Sequence, residues 1–167
     1  LKMISEISDA NGISGFEDEV LAVLRKYGKA LGEFKEDCLR NLYLYRKENK
    51  SGQPVVQLDA HSDEIGFMVQ AIRPNGTLQF IPVGGWVASN VAAQRVRVRN
   101  SEGKYIPGIV VSKPPHFMSK SEQEINVSFE QMAIDIGATS AEEAVNDFKI
   151  RIGEPIVPDV HFEYIAE

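Results

Sequence analysis

A histidine lies among three carboxylates in the segment LDAHSDEIGF, which begins at Leu58. If the backbone is extended there, His61 and Asp63 point to the same side. A neutral imidazole can bind zinc or cobalt through one nitrogen. A nearby carboxylate can accept a hydrogen bond from the other nitrogen and so fix the tautomer. His61 is therefore a candidate ligand with Asp63 as its orienting partner. Spacing alone nevertheless favours a solvated turn, because a metal site needs about four ligands.

Other residues that could carry chemistry have simpler interpretations. Asp59 and Glu64 could form the acid pair of a glycosidase, but solvated carboxylates are the favoured interpretation. His116 follows two prolines in a predicted loop, and His161 lies near the end of the sequence; a surface or packed role is favoured for both. Cys38, the single cysteine, is most simply an inert thiol.

Two further features have both a binding and a structural interpretation. Arg95, Arg97 and Arg99 alternate along a predicted strand. They could bind an acidic partner, although the solvated face of a strand, or an edge protected against mispairing, is favoured. Trp86 follows two glycines, where an interface anchor and local packing are equally compatible with the sequence.

Composition restricts the class of protein. The 167 residues carry a net charge of −6, which argues against nucleic acid or an anionic membrane surface as a partner. No apolar run approaches the roughly 20 residues of a membrane span, and no secretion signal is visible. One cysteine excludes an internal disulfide and favours a reducing, cytoplasmic location.

The candidate residues must be positioned by α/β structure. Ile4 and Ile7 indicate a first helix. Ser14 and Glu17 have the spacing of a capping box that opens a second helix, with Gly32 as its expected end. The second helix shows apolar residues at helical spacing, namely Val20, Leu24, Tyr27 and Leu31.

Strands dominate the middle of the sequence. Short apolar or alternating runs predict strands at 42–45, 55–58, 65–72, 77–83, 94–99, 105–112, 149–152, 156–157 and 162–165. The Asn75-Gly76 pair predicts the hairpin turn between the third and fourth of these. Residues 113–130 are predicted to form a long loop. Ser140 and Glu143 have the spacing of a second capping box, before a short helix that runs to about Asp147.

Five collinear stretches resemble the glutamyl/deblocking/tetrahedral aminopeptidase family of two-metal peptidases, some of which are labelled endoglucanases. They read ANGISGFEDEV, LDAHSDEIGFMV, GGWVASNVAAQRVRV, GIVVSKPPHF and MAIDIGATSAEEA. One small departure is Leu39-Arg40-Asn41, where the family usually has Gly-Asn. The stretches are spread along most of the sequence, from Ala10 to Ala144, and the resemblance corresponds to the N-terminal half of the family.

The resemblance implies a role for each candidate residue. His61 would be a metal ligand, and Asp63 the catalytic aspartate that orients it. Two divalent ions (zinc, cobalt or manganese) would hold a water that attacks the peptide carbonyl, with a glutamate as general acid/base. The substrate would be a peptide, hydrolysed at its N-terminal residue.

The resemblance also implies a domain organisation. Residues 1–68 would be the N-terminal part of an α/β metallopeptidase domain. Residues 69–160 would be an inserted, mostly β domain, a barrel or PDZ-like fold, through which the protein forms homo-oligomers. Residues 161–167 would begin the return to the catalytic domain.

The family's remaining ligands and its Glu-Glu pair have no counterpart in this sequence. The expectation is therefore a fragment that is inactive by itself. The alternative is a non-catalytic oligomerisation or binding module, built from residues 69–160, with a vestigial site. A glycosidase has less support, because the sequence lacks a convincing carboxylate pair.

Overall fold

The computed structural model describes residues 1–50, 52–113, 115–120 and 128–165. The chain forms two compact units. The first unit comprises Leu1–Asp63 and Val160–Glu167, and the barrel unit comprises Glu64–Asp159. These boundaries differ from the 68–69 and 160–161 boundaries expected from the sequence, because the whole strand that follows Asp63 is part of the barrel.

In the part of the first unit that the structure describes there are two α-helices, α1 (Lys2–Asp9) and α2 (Asp18–Gly28). Lys26 of α2 pairs with Glu6 of α1 at 2.5 Å. Acidic residues open α2 and basic residues close it, an arrangement that complements the helix dipole. Both predicted helices are confirmed. In the described residues, no helix has the length and apolar character needed to cross a bilayer.

The predicted start and end of α2 are wrong. The N-cap is Glu17 and makes no side-chain capping bond. The hydroxyl of Ser14 donates to Asp63 instead, and Glu17 accepts from the backbone N–H of Gly15 at 2.8 Å. The helix ends at Gly28, since Gly32 already begins the next strand.

A two-stranded antiparallel sheet follows, β1 (Gly32–Glu36) and β2 (Leu42–Arg46). The sequence predicted β2 but missed β1, whose residues are mostly charged or small. Arg40, in the connecting turn, has a φ of 69°, in the region that favours glycine. Glycine adopts this conformation readily, which agrees with the Gly-Asn expected here from the family resemblance. Arg40 also pairs with Asp18 at 2.6 Å and Glu36 at 2.9 Å.

Two predicted strands in the first unit are not formed. Residues 55–58 have no regular structure. Val55, Val56 and Leu58 are 74%, 83% and 93% exposed. Residues 162–165 are also irregular. Their segment is held at its start, where the backbone N–H of Phe162 donates to Asp9 at 2.7 Å.

Among its described residues, the barrel unit contains six antiparallel strands that close in the order β3-β4-β7-β6-β5-β8. The strands are β3 (Gly66–Ile72), β4 (Leu78–Val83), β5 (Arg95–Arg99), β6 (Tyr105–Ser112), β7 (Met132–Asp135) and β8 (Pro155–Pro158). The prediction of a mixed α/β protein with a β barrel is confirmed. The sequence missed β7, and the predicted strand at 149–152 is wrong, since Lys149 has a φ of 62°.

Short helices connect the strands. The 3₁₀ helices are Ala88–Asn90, Pro115–Phe117 and Phe129–Gln131. The predicted loop at 113–130 contains the second of these helices and overlaps the third, and its residues 114 and 121–127 lie outside the described residues. Helix α3 (Ala141–Asn146) has Ser140 as its N-cap, and the Ser140 hydroxyl accepts from the backbone N–H of Glu143 at 3.1 Å. The predicted N-cap residue of α3 is confirmed, but the capping box is not completed, because the Glu143 carboxylate accepts from the backbone N–H and the hydroxyl of Thr139 at 2.7 Å.

The core of the barrel is aromatic at one end. Phe67 contacts Phe80 edge to face at 4.9 Å between centroids, and it stacks on Trp86 at 4.7 Å. The indole N–H of Trp86 donates to the carbonyl of Gly66 at 2.8 Å. Trp86 is thus fixed by local packing, one of its two interpretations.

The arginines of β5 are paired within the barrel unit. Arg95 and Arg97 approach the Asp159 carboxylate at 3.0 and 3.2 Å. Arg99 approaches Glu154 at 3.2 Å. Asp159 and Glu154 have side chains only 11% and 15% exposed. The structure therefore gives these arginines carboxylate partners in the chain itself, while the side chain of Arg95 remains 74% exposed to solvent.

Gly76 provides a test of the predicted hairpin turn. It has a φ of 84°, and an added Cβ would lie 2.4 Å from the carbonyl oxygen of Ala138. Gly76→Ala should lower the free energy of barrel unfolding by about 2–4 kcal/mol, because a left-handed backbone and a backbone clash both contribute. The single tryptophan, Trp86, reports the transition during urea denaturation.

Gly103→Ala is the matched control. Gly103 has a φ of 78° and nothing within 4 Å of an added Cβ, so this variant isolates the backbone effect, about 1 kcal/mol. Equal losses of stability in the two variants would contradict the close approach at Ala138.

Candidate metal-binding site at His61 and Asp63

His61 and Asp63 make the contact that their spacing suggested. The Nδ1 atom of His61 lies 2.9 Å from the backbone oxygen of Asp63 and 3.2 Å from its Oδ1 atom. Both neighbours are acceptors, so we assign to the neutral ring the tautomer with its hydrogen on Nδ1 and its lone pair on Nε2. The side chain of His61 is 86% exposed. The residue thus presents a potential ligand atom to solvent.

Ser14 is a third member of this cluster, which sequence analysis missed. Its hydroxyl donates to Oδ2 of Asp63, while Oδ1 faces His61. The hydrogen bond from Ser14 is the largest cause of a lowered pKa of the Asp63 carboxyl, followed by the opposing effect of partial burial. The backbone N–H of Asp63 and the nearby His61 lower the pKa further. The carboxylate is therefore stabilised in its ionised form, as an acceptor for the imidazole.

The loop that carries Ser14 is anchored by its own contacts. Asn11 is only 6% exposed, and its backbone and side-chain N–H groups donate to the Glu19 carboxylate at 2.9–3.1 Å. Ile13 is fully buried. An added Cβ on Gly12 would lie 2.6 Å from Val20, so the loop lies directly against α2. These contacts set the position from which Ser14 reaches Asp63.

The sequence around Ser14 contained a recognisable pattern, but that pattern indicated a helix cap instead of a site residue. Ser14 belongs to ANGISGFEDEV, one of the stretches that carried the family resemblance. The serine and Glu17 also have capping-box spacing, which made a helix start the simpler interpretation. Since the partner of Ser14 lies 49 positions later in the chain, no local pattern indicates it.

The remaining candidates do not join this cluster. His116 is exposed in the 3₁₀ helix Pro115–Phe117. His161 is 66% exposed, and its Nδ1 lies 3.8 Å from Asp9. Asp59 and Glu64 are exposed, and Cys38 is an exposed free thiol.

The cluster fits one part of a metal site. His61 offers one nitrogen donor whose second nitrogen is held by Asp63, the usual arrangement of a histidine ligand. Within the described ranges, no group of three or more His, Cys, Asp or Glu side chains is arranged to hold an ion. A complete site would thus need donors in addition to these residues.

Comparison with known proteins identifies the family. A model of the M42 glutamyl aminopeptidases matches residues 41–167. The putative aminopeptidase FrvX of Escherichia coli K12 is 35% identical over 97% of the chain. The lysyl aminopeptidase of Pyrococcus furiosus is 31% identical over 91% of the chain.

Solved structures agree in fold. A TET aminopeptidase from a marine sediment thaumarchaeon superposes with a TM-score of 0.92 at 37% identity, over 99% of this chain and 46% of that one. The TET1 peptidase of Pyrococcus horikoshii, which can assemble into a tetrahedron or a large octahedral shell, gives 0.84 at 27% identity, over 98% and 48%. A Thermotoga maritima protein described as an endoglucanase gives 0.77 at 27% identity, over 97% and 46%.

The matched region covers nearly all of this chain but less than half of each of these relatives. The chain spans 45% of the length of FrvX and 43% of the lysyl aminopeptidase. The matched residues include His61 and Asp63 and extend through the barrel unit. The chain belongs to the M42 glutamyl aminopeptidase family.

Proposed function

We propose that this chain supplies the His61 part of the active site of a metal-dependent aminopeptidase, which hydrolyses N-terminal residues from peptides. The contact between His61 and Asp63 carries the proposal, because it leaves Nε2 available at the exposed side of the ring. Family membership supports the reaction class, and the aminopeptidase names of its relatives point the same way.

Each residue of the cluster has a distinct task in this proposal. His61 binds one of two divalent ions through Nε2, and zinc, cobalt and manganese all accept an imidazole ligand. Asp63 accepts from Nδ1 and fixes the tautomer and orientation of the ring. When bound, two such metal ions supply an activated water and polarise the peptide carbonyl.

The proposed reaction needs more groups than the cluster contains. A two-metal site requires several further ligands and a general acid/base. We infer that these groups belong to the part of the relatives that this chain does not match, which is more than half of their length. The 167-residue chain alone is therefore proposed to be inactive.

The barrel unit is proposed to mediate assembly. The dimerisation domain that the sequence analysis placed at residues 69–160 is proposed to be the barrel unit, Glu64–Asp159, and the first unit is proposed to be part of the catalytic domain. Several apolar side chains on the barrel unit are 40–70% exposed, namely Ile81, Val87, Ile109 and Ile152. Assembly of the related Pyrococcus horikoshii peptidase into closed shells supports a homo-oligomer. The same exposed residues support the second candidate function, a non-catalytic oligomerisation module.

Other assignments have weaker support. A glycosidase would require a paired acid and base, and Asp59 and Glu64 are simply two exposed carboxylates. The likeness to a protein described as an endoglucanase lies in the fold, at 27% identity. A cytoplasmic location is proposed from the single, unpaired Cys38.

An assay of aminopeptidase activity distinguishes the proposed enzyme from a non-catalytic oligomerisation module. The 167-residue chain should release no product from aminoacyl anilides in the presence of zinc, cobalt or manganese, because the cluster lacks the other ligands and the acid/base. A fusion that adds the unmatched part of FrvX should hydrolyse these substrates, and its His61→Gln variant should lose at least about 100-fold in kcat/KM. An active fusion with unchanged activity after His61→Gln would contradict the proposal.

Metal binding tests the ligand itself. Zinc titration of the chain, followed by NMR of the histidine rings, should perturb His61 first. His61→Gln should weaken zinc binding by about tenfold or more, because the ligand atom is removed. His161→Gln is the matched control, since that ring also lies near an aspartate but outside the cluster. Equal affinities for His61→Gln and the unaltered chain would rule out the assigned ligand.

Oligomeric state tests the barrel surface. The chain should sediment as a dimer or larger species, and Val87→Glu combined with Ile152→Glu should convert it to monomers, because charges disfavour burial in an interface. Both side chains are well exposed, at 63% and 70%, so the barrel itself should stay folded. Leu39→Glu in the first unit is the control, because Leu39 is 78% exposed and lies outside the barrel. A monomeric unaltered chain, or dissociation by Leu39→Glu alone, would contradict assembly through the barrel.

A further inference from the structure

We propose that Ser14 is a positioning residue: its hydroxyl fixes the Asp63 carboxylate so that His61 is kept as the Nδ1–H tautomer with Nε2 facing outward. The inference deepens the proposed function and rests on the metal-ligand role of His61. It assigns Ser14 to the site instead of to the start of a helix.

The two oxygens of Asp63 have separate partners. Oδ2 accepts from the Ser14 hydroxyl, and Oδ1 lies 3.2 Å from Nδ1 of His61. A serine hydroxyl has one hydrogen to donate, and here it is directed to the carboxylate. Helix α2 uses no side-chain cap at its start, so Ser14 has no competing role there. The three residues thus form a chain of contacts, serine to aspartate to imidazole.

The Ser14 hydroxyl is presented by a loop with contacts on both sides of the serine. Asn11 and the fully buried Ile13 hold the loop on one side of Ser14, through Glu19 and the interior of the first unit. On the other side, the backbone N–H of Gly15 donates to Glu17 at 2.8 Å. A donor on such a loop loses little freedom when it bonds, so it can restrain a more mobile partner.

The position of the Asp63 carboxylate matters because the His61 ring has little packing of its own and is held by its contacts with Asp63. The ring is 86% exposed, and its described contacts are those to Asp63. The backbone oxygen of Asp63, at 2.9 Å from Nδ1, is fixed by the main chain. The carboxylate is 37% exposed and can rotate towards water unless a second group holds it. Ser14 is that group in this structure.

The same unit contains a matched control cluster. The Ser5 hydroxyl donates to Oδ2 of Asp9 at 3.2 Å, and Oδ1 of Asp9 lies 3.8 Å from Nδ1 of His161. Serine, aspartate and histidine occur in the same order, but without the close imidazole contact. Ser5→Ala therefore removes an equivalent hydroxyl while leaving the His61 cluster intact.

The test is ¹⁵N NMR of the metal-free 167-residue chain at about pH 8.5, where imidazoles are neutral. The three histidines are assigned with single His→Gln variants. In the unaltered chain, His61 should be mainly the Nδ1–H tautomer. In Ser14→Ala, the Nε2–H share of His61 should rise and its zinc affinity should fall by roughly tenfold, as for other groups that orient a ligand. Ser5→Ala should change neither value.

Two further variants keep the result interpretable. Ser14→Thr retains the hydroxyl and should restore the tautomer and the zinc affinity of the unaltered chain. Ser14→Cys keeps the approximate size of the side chain but has a weaker donor, so under reducing conditions its His61 tautomer should shift as in Ser14→Ala. It replaces Ser14→Ala as the test if the alanine variant folds poorly.

The outcomes separate this inference from the proposed function. An unchanged His61 tautomer in both Ser14→Ala and Ser14→Cys would overturn the role of Ser14, as would equal responses to Ser14→Ala and Ser5→Ala. If the tautomer responds as expected but His61 binds no zinc in the unaltered chain, the positioning role stands and the metal-ligand proposal fails.

Discussion

Closure of the barrel is the constraint on which the organisation of this chain depends. Its first strand, β3, pairs antiparallel with its last strand, β8, with Phe67 opposite Ile156. Because neighbouring antiparallel strands run in opposite directions, the start of β3 and the end of β8 lie at the same end of the barrel. The chain therefore enters and leaves the unit at one place. A domain of this kind can be inserted into another without separating the two segments that flank it.

The first unit is organised more by polar contacts than by burial. Of its described apolar residues, Ile13, Val20 and Leu21 are buried, whereas most of the core residues belong to the barrel unit. Exposed hydrogen bonds and ion pairs add little to folding free energy. The contacts of Asp63 with Ser14 and His61 are of this exposed kind. Their effect is on orientation and tautomer, which matter for binding a ligand more than for stability.

Sequence patterns predicted most of the barrel because its strands obey local rules. β5 alternates apolar and charged residues, and the Asn75-Gly76 pair supplies a turn with the positive φ that glycine accepts. β1 and β7 were missed because they are short, and pairing with a neighbouring strand defines them more than their own composition does. The segment 55–58 has strand composition but forms no strand in the described residues, because composition cannot provide a partner.

Only part of the candidate site could be predicted from the sequence, for a similar reason. His61 and Asp63 are two positions apart, so their contact follows from an extended backbone. Ser14 reaches Asp63 across 49 positions, and its spacing to Glu17 suggested a competing, local use. The serine was assigned correctly only when the fold showed which acceptor its hydroxyl meets.

The exposed segment 55–58 has a consequence for the behaviour of the chain in solution. Val55, Val56 and Leu58 are β-prone, uncharged and open to solvent. An apolar stretch whose backbone is not paired within a sheet is a template for intermolecular strand pairing. Self-association through this segment favours aggregation at high concentration. Burial of this stretch would therefore raise the colloidal solubility of the chain.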